Sequence, residues 1–265
     1  MSSPSINADE VHIGEGTLIH PTAVICGADG GSARGVQIGD HCFIGESVQI
    51  RCAEFKLGDY SRIHHHTNIH GYRPCSIGHN AWIGQYTIVD SIGGTTIGDN
   101  CGIGAHSQLW SHIKHGDVLE GCRFLGEKAL VVGKDVWFVG HCIVSPIIAR
   151  DRSMAMVGSV ITRDMEANHV YAGVPAVDIT GKVGPQFEEV DLAAKVDRLR
   201  TLLNESGLNS SSIGIAATAS EVQADDRSWF VVDSRTYTKQ NTPAEVAFMK
   251  FLLPARAKFT PAESH

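Results

Sequence analysis

Residues 96–109 read TIGDNCGIGAHSQL, and the spacing inside them decides the fold. Ile97, Ile103 and Leu109 stand six residues apart. The small residues Cys101 and Ser107 each follow an isoleucine by four places. A helix repeats every ~3.6 residues and a strand about every two, so a strict period of six fits neither alone. It fits a chain that runs a short strand, turns, and runs again. Three such runs close a triangular coil. The aliphatic residue points inward, and the small residue sits at the tight corner.

The same frame extends in both directions. Inward triplets fall at Ile13/Ile19/Ile25, Ile38/Ile44/Ile50, Leu57/Ile63/Ile69, Ile77/Ile83/Val89, Ile97/Ile103/Leu109 and Val132/Phe138/Val144. Corner positions carry Ala23, Cys42, Val48, Ser61, Thr67, Ala81, Thr87, Val136 and Cys142. Isoleucine followed by glycine marks many of the hexads, as at Ile38-Gly39, Ile77-Gly78 and Ile97-Gly98. Each coil would bury the face of its neighbour, so the chain is an all-β solenoid. Extra residues between triplets can bulge outward without breaking the stack.

Composition narrows the function. The chain has 265 residues, 43% of them hydrophobic and 19% charged, which suits a globular protein. Its net charge of −7 argues against nucleic acid or an anionic membrane as the main partner. No run of apolar residues is long enough to span a bilayer. The start, MSSPSINADE, has neither a basic segment nor an apolar one, so a cytoplasmic protein is expected. Seven cysteines without a CxxC pair argue against a disulfide framework or a structural zinc site. Cys42, Cys101 and Cys142 take corner positions, where a thiol acts as a small hydrophobe.

Over about residues 11–180 the hexads resemble those of the hexapeptide-repeat acyltransferases, the sugar and xenobiotic O-acetyltransferases among them. VGKDVWFVG at 132–140 is similar to that family's "IGNDVWIG" pair of hexads. VGSVITRD at 157–164 resembles its "AGSVVTKD", and AGVPA at 172–176 its closing segment. The resemblance implies a left-handed parallel β-helix, acetyl-CoA as acyl donor, and a homotrimer with sites between subunits. One stretch departs from it: after Pro146 the chain reads IIARDRSMAM, where another regular hexad is expected. The repeat decays there on this reading.

Chemistry is expected where the repeat breaks. Leu109 and Val132 are 23 residues apart, so residues 110–131 form a long excursion. Long loops on a regular scaffold are often functional. This one carries His112 and His115, and imidazole can take a proton near neutral pH. In the family a catalytic histidine lies about twenty residues before the "IGNDVWIG" hexads. His112 lies 21 residues before Gly133 and His115 lies 18, so the resemblance points first to His112 and second to His115. It also implies that Gly140, Gly158 and Ser159 run along the pantetheine arm of the coenzyme, that Gly173 allows close approach, and that Arg163 or Lys182 meets phosphates. Asp90, at the corner after Val89, is expected to orient an acceptor hydroxyl or amine, and His106 to line the acceptor pocket.

The reading is therefore an acetyl-CoA-dependent O- or N-acetyltransferase acting on a sugar or other small molecule, with no metal. Two alternatives stand beside it. The histidine cluster His64-His65-His66, with His70, His106 and His112, could serve a zinc enzyme like the γ-class carbonic anhydrases, which share this fold. A β-helix can also be a non-catalytic assembly protein. The β-helix is expected over residues 1–183. Residues 184–265 are expected to form an appendage: a helix over 187–204, a linker over 206–224, a strand in SWFVVDSRTYT, and a helix in TPAEVAFMKFLL.

Overall fold

The computed structural model describes residues 3–208 and 211–262. The chain forms two compact units, Met1–Phe187 and Glu188–His265. The first is a parallel β-helix. Its coils build three sheets of eight, seven and nine strands. Sheet 1 runs from Ser5–Ile6 to Val160–Ile161, sheet 2 from Ala8–Ile13 to Ile148–Ala149, and sheet 3 from Leu18–Ile19 to Ala176–Asp178. All strand pairs in them are parallel except the last, where Val170–Gly173 and Ala176–Asp178 close the helix as an antiparallel hairpin.

The register is the sequence period made spatial. Ile44, Ile63, Ile83, Ile103 and Phe138 pair in order across sheet 3, and each is wholly buried. Ile50, Ile69, Val89, Leu109 and Val144 do the same in sheet 1. Burying each such side chain contributes about 1.5–3 kcal/mol. The hexad glycine is needed for coil-to-coil spacing. A Cβ placed on Gly98 would stand 2.6 Å from the carbonyl oxygen of Gly133 in the next coil. Left-handed backbone falls instead on corner residues such as Asn80, Asn100, His106 and Asp135. Asn, Asp and His tolerate that region better than most side chains.

The stretch after Pro146 is regular after all. Ala149, Ala155 and Ile161 continue the inward positions at the same spacing, and all are buried. Alanine replaces the larger aliphatics, so the residues look irregular while the backbone keeps its coil.

The second unit has a four-stranded sheet and two helices. Helix Leu192–Glu205 starts at Asp191, whose carboxylate accepts from Ala194 N at 3.2 Å. It buries Val196, Leu199, Leu202 and Leu203. Helix Pro243–Leu252 is capped by Thr242, as its Thr-Pro start implies. The expected linker 206–224 holds a strand, Ile213–Ala216, paired with Ser228–Val231. SWFVVDSRTYT folds as two strands rather than one, Ser228–Val231 and Thr236–Tyr237. Among the described residues, no helix is long and apolar enough to cross a membrane.

Candidate active site

The excursion is an antiparallel hairpin. The chain leaves sheet 1 after Gln108–Leu109 and runs out as His112–Lys114. It returns as Leu125–Glu127 and rejoins sheet 2 at Leu130–Val132. His112 stands opposite Glu127, at the base of the hairpin. Lys114 Nζ lies 2.8 Å from Glu127 Oε1 and ties the two arms together. That ammonium holds the Glu127 carboxyl below its ordinary range.

Asp90 ends the sheet-1 strand Ile88–Asp90 and has no exposure to solvent. Its Oδ2 accepts from Ser111 N at 2.9 Å and from Ser111 Oγ at 2.5 Å. His112 Nδ1 lies 2.8 Å from the same oxygen. An ionised carboxylate only accepts, so His112 donates from Nδ1–H. The lone pair is then on Nε2. The His112 side chain is 19% exposed, so this nitrogen belongs to a ring that a solute can reach. The ring also meets Trp110 edge-on at 6.0 Å between centroids. A partly exposed imidazole held in one tautomer by a buried carboxylate can act as a general base.

Asp90 was expected to face an acceptor. Its side chain is buried and bonds to Ser111 and His112. Ser111 was not singled out by the sequence. Nothing in the hexad code marks it, because it lies beyond the last inward position of its coil. His70, seen as part of the histidine cluster, reaches the same carboxylate, with Nε2 3.5 Å from Asp90 Oδ1.

Other expected residues lie apart from this group. His115 is exposed, one residue past the outgoing strand. His106 sits in the corner between sheets 3 and 1, stacked between Tyr86 at 5.1 Å and His141 at 4.9 Å. Within one chain it stands apart from the pair His70 and His112 that flank Asp90. Among the described residues, no group of three or more His, Cys, Asp or Glu is placed to hold a metal ion. Ser159 is wholly buried, and its hydroxyl donates to Met156 O at 2.6 Å. That hydroxyl is committed to a corner turn. Gly140 is buried in the same region, and its carbonyl accepts from Gly158 N at 2.9 Å. Gly158, Arg163, Gly173 and Lys182 are exposed.

Comparison with known proteins places this geometry. No family model matches the chain. The galactoside O-acetyltransferase of Escherichia coli (strain K12) is 32% identical over 110 residues, covering 38% of this chain and 53% of that protein. The chain carries hexapeptide repeats and is similar over that stretch to this O-acetyltransferase. This hexapeptide-repeat chain spans about half the length of the curated relative it matches. Solved structures with a similar course include the polySia specific acetyltransferase NeuO, at a TM-score of 0.48 and 18% identity, covering 76% of this chain and 91% of that one. AntD, an N-acyltransferase from Bacillus cereus solved with dTDP and 3-hydroxybutyryl-CoA, scores 0.45 at 15% identity, with 74% and 90% covered. LpxA from Acinetobacter baumannii scores 0.44 at 17% identity, with 78% and 83% covered.

Proposed function

We propose that the chain is an acyl-CoA-dependent transferase. It moves an acetyl group from acetyl-CoA to a hydroxyl or amino group of a sugar or other small molecule. The observation that carries this reading is the buried Asp90 beneath His112, at the base of the excursion hairpin. The similarity to a galactoside O-acetyltransferase supports the substrate class.

The chemistry follows from the atoms. Nε2 of His112 takes the proton from the acceptor hydroxyl as its oxygen bonds to the thioester carbonyl carbon. The tetrahedral oxyanion then collapses, and the carbon–sulfur bond breaks. The coenzyme leaves as a thiolate and recovers the proton from the imidazolium. Asp90 holds the ring in the required tautomer and stabilises it while it is charged. No covalent acyl-enzyme is needed, so Cys122 has no role in this path. Exposed Gly158 and Gly173 offer backbone to the pantetheine arm, and exposed Arg163 and Lys182 offer charge to its phosphates. Gly140 contributes by accepting from Gly158 N across adjacent coils. A homotrimer would supply the other wall of the groove.

Calorimetric titration with acetyl-CoA is the first test. Saturable binding by each chain, followed by transfer to a member of a sugar and amino-sugar panel, supports the proposal. Absence of binding at millimolar coenzyme overturns it.

A further inference from the structure

Asp90 is used unevenly. Oδ2 takes three donors, from Ser111 N, Ser111 Oγ and His112 Nδ1. Oδ1 is buried and makes no hydrogen bond within ordinary limits. A buried carboxylate oxygen without a donor is costly. The nitrogen facing it is Nε2 of His70, 3.5 Å away on the adjacent strand, where His70 pairs in register with Asp90. The other ring nitrogen, His70 Nδ1, is itself buried without a partner. A buried N–H with no acceptor is rarer than a buried lone pair with no donor. Both facts select one tautomer of His70: hydrogen on Nε2, aimed at Asp90 Oδ1, and the lone pair on Nδ1.

We propose that His70 is a positioning residue for the transfer reaction, closing a His112–Asp90–His70 chain in which one buried carboxylate holds two imidazoles. The inference rests on the transferase reading of His112. The 3.5 Å approach is longer than an ordinary hydrogen bond, and in this proposal it shortens when the site is occupied. Its effect is electrostatic as well as geometric. A donor on Oδ1 draws charge from the carboxylate and lowers its appetite for a second proton. The proton that His112 takes from the acceptor therefore stays on His112, ready for the leaving thiolate. Without that donor, Asp90 would pull harder on His112 through Oδ2, and its plane would be fixed from one side only.

Several groups surround the trio and bear on its titration. Arg51 pairs in register with His70 from the neighbouring sheet-1 strand opposite that of Asp90. Cys75 senses the charge of Asp90 from the first residue of the strand Cys75–Ile77. Glu127 lies opposite His112, with Lys114 and Arg73 bound to it. None of these donates to Oδ1.

His70→Leu and His70→Gln separate the roles. Leucine removes the donor, whereas glutamine keeps an N–H at similar reach. In His70→Leu we expect kcat for acetyl transfer to fall on the order of tenfold with KM unchanged. We also expect the acid limb of the kcat profile to move to higher pH, because a carboxylate relieved of its second donor holds the His112 proton more tightly. His70→Gln should restore most of the rate and the original profile. The ring of His112, followed by nitrogen NMR through a pH titration, should move in the same direction in the leucine variant alone. This readout needs no acceptor. If wild-type protein transfers no acetyl group but the NMR shift appears, the transferase reading fails and the three-residue coupling stands. An identical His112 titration in wild type and both variants, each with an unchanged melting transition, overturns the coupling itself.

Discussion

Oδ2 of Asp90 and Nδ1 of His112 stand 2.8 Å apart, the carboxylate wholly buried and the imidazole 19% exposed. The two residues are 22 positions apart in sequence, roughly one coil of the solenoid. The β-helix brings them together because Asp90 ends a sheet-1 strand and His112 follows the next sheet-1 strand in the stack. The hairpin then carries the rest of the excursion outward and leaves the histidine at its base.

His112→Ala should lower kcat by about a hundredfold to ten-thousandfold, the range that a general base contributes. The change removes a partly exposed side chain, so the melting transition should move little. His115→Ala should leave kcat within about twofold, since that ring is exposed beyond the hairpin strand. Steady-state rates on any working acceptor separate the two. Equal losses in both variants would assign the base wrongly. Asp90→Ala differs from both: it strands two buried Ser111 donors, and should cost about 2–4 kcal/mol of stability as well as activity.

The solenoid was legible because a period of six has one simple structural answer; the inward residues named from it stack and are buried from Ile25 onward, while Ile13 and Ile19, in the first coil with no coil beyond it, are exposed and half-buried. Where Ala149 and Ala155 replace larger aliphatics the period vanished from the residues but not from the backbone. Composition thus hid what geometry kept. His112 was singled out through a resemblance in loop spacing. Its partners were harder to see. Asp90 carries no mark that separates a buried carboxylate from a turn residue, and whether it meets an acceptor or a histidine depends on which way one side chain points. His70 lies 42 residues before His112, and only the register of adjacent coils shows that both reach one carboxylate. The burial of Ser159 was equally hidden, because the motif that marks it does not say which way a corner hydroxyl turns.

Gly93 links fold to site. Its N–H donates to Ser111 Oγ at 2.9 Å, and a Cβ placed there would fall on the carbonyl oxygen of Ser111. Gly93→Ala must therefore displace Ser111, which supplies two of the three donors to Asp90 Oδ2. We expect a lower melting temperature and a kcat at least tenfold down, because a shift of about 1 Å in a catalytic group has that effect. Gly121→Ala is the control. No heavy atom lies within 4 Å of its added Cβ. Its own φ of +80° strains an alanine, but far out on the hairpin, so stability is lost there without a matching loss of kcat. Wild-type rates in Gly93→Ala would separate Ser111 from the chemistry.

Ile83 tests the stack. It is wholly buried and lies between Ile63 and Ile103 in sheet 3. Ile83→Ala should cost about 2–5 kcal/mol in urea unfolding, and Ile83→Val about 0.5–1.5. Because each coil contacts only its neighbours, the loss should be local. Hydrogen exchange should quicken first in the strands around Arg62–Ile63 and Gly102–Ile103, before it does at the ends of the solenoid. Uniform quickening along all coils would show that the repeats unfold as one unit.

Cys42 gives the β-helix a dependence on alkaline pH. Burial at its corner pushes the thiol from an ordinary 9.0 up to about 12. Below pH 9.0 the thiol is neutral in the folded and the unfolded chain, and the fold keeps its full stability. As pH rises past that point, the unfolded chain ionises first and gains. Stability therefore falls between 9.0 and about 12, at up to about 1.4 kcal/mol per pH unit. Alanine occupies equivalent corners at Ala23 and Ala81, so Cys42→Ala removes the titration without opening the corner to water. Urea midpoints measured at about pH 8 and about pH 10.5 should fall less in the variant than in wild type. The same burial protects the thiol from reagents. Cys122 is partly exposed and the other six cysteines are buried, so one thiol per native chain should react quickly with a disulfide reagent. Fast labelling of Cys42 in native protein, or an equal loss of midpoint in Cys42→Ala, would show that this corner opens to solvent well below the global unfolding transition.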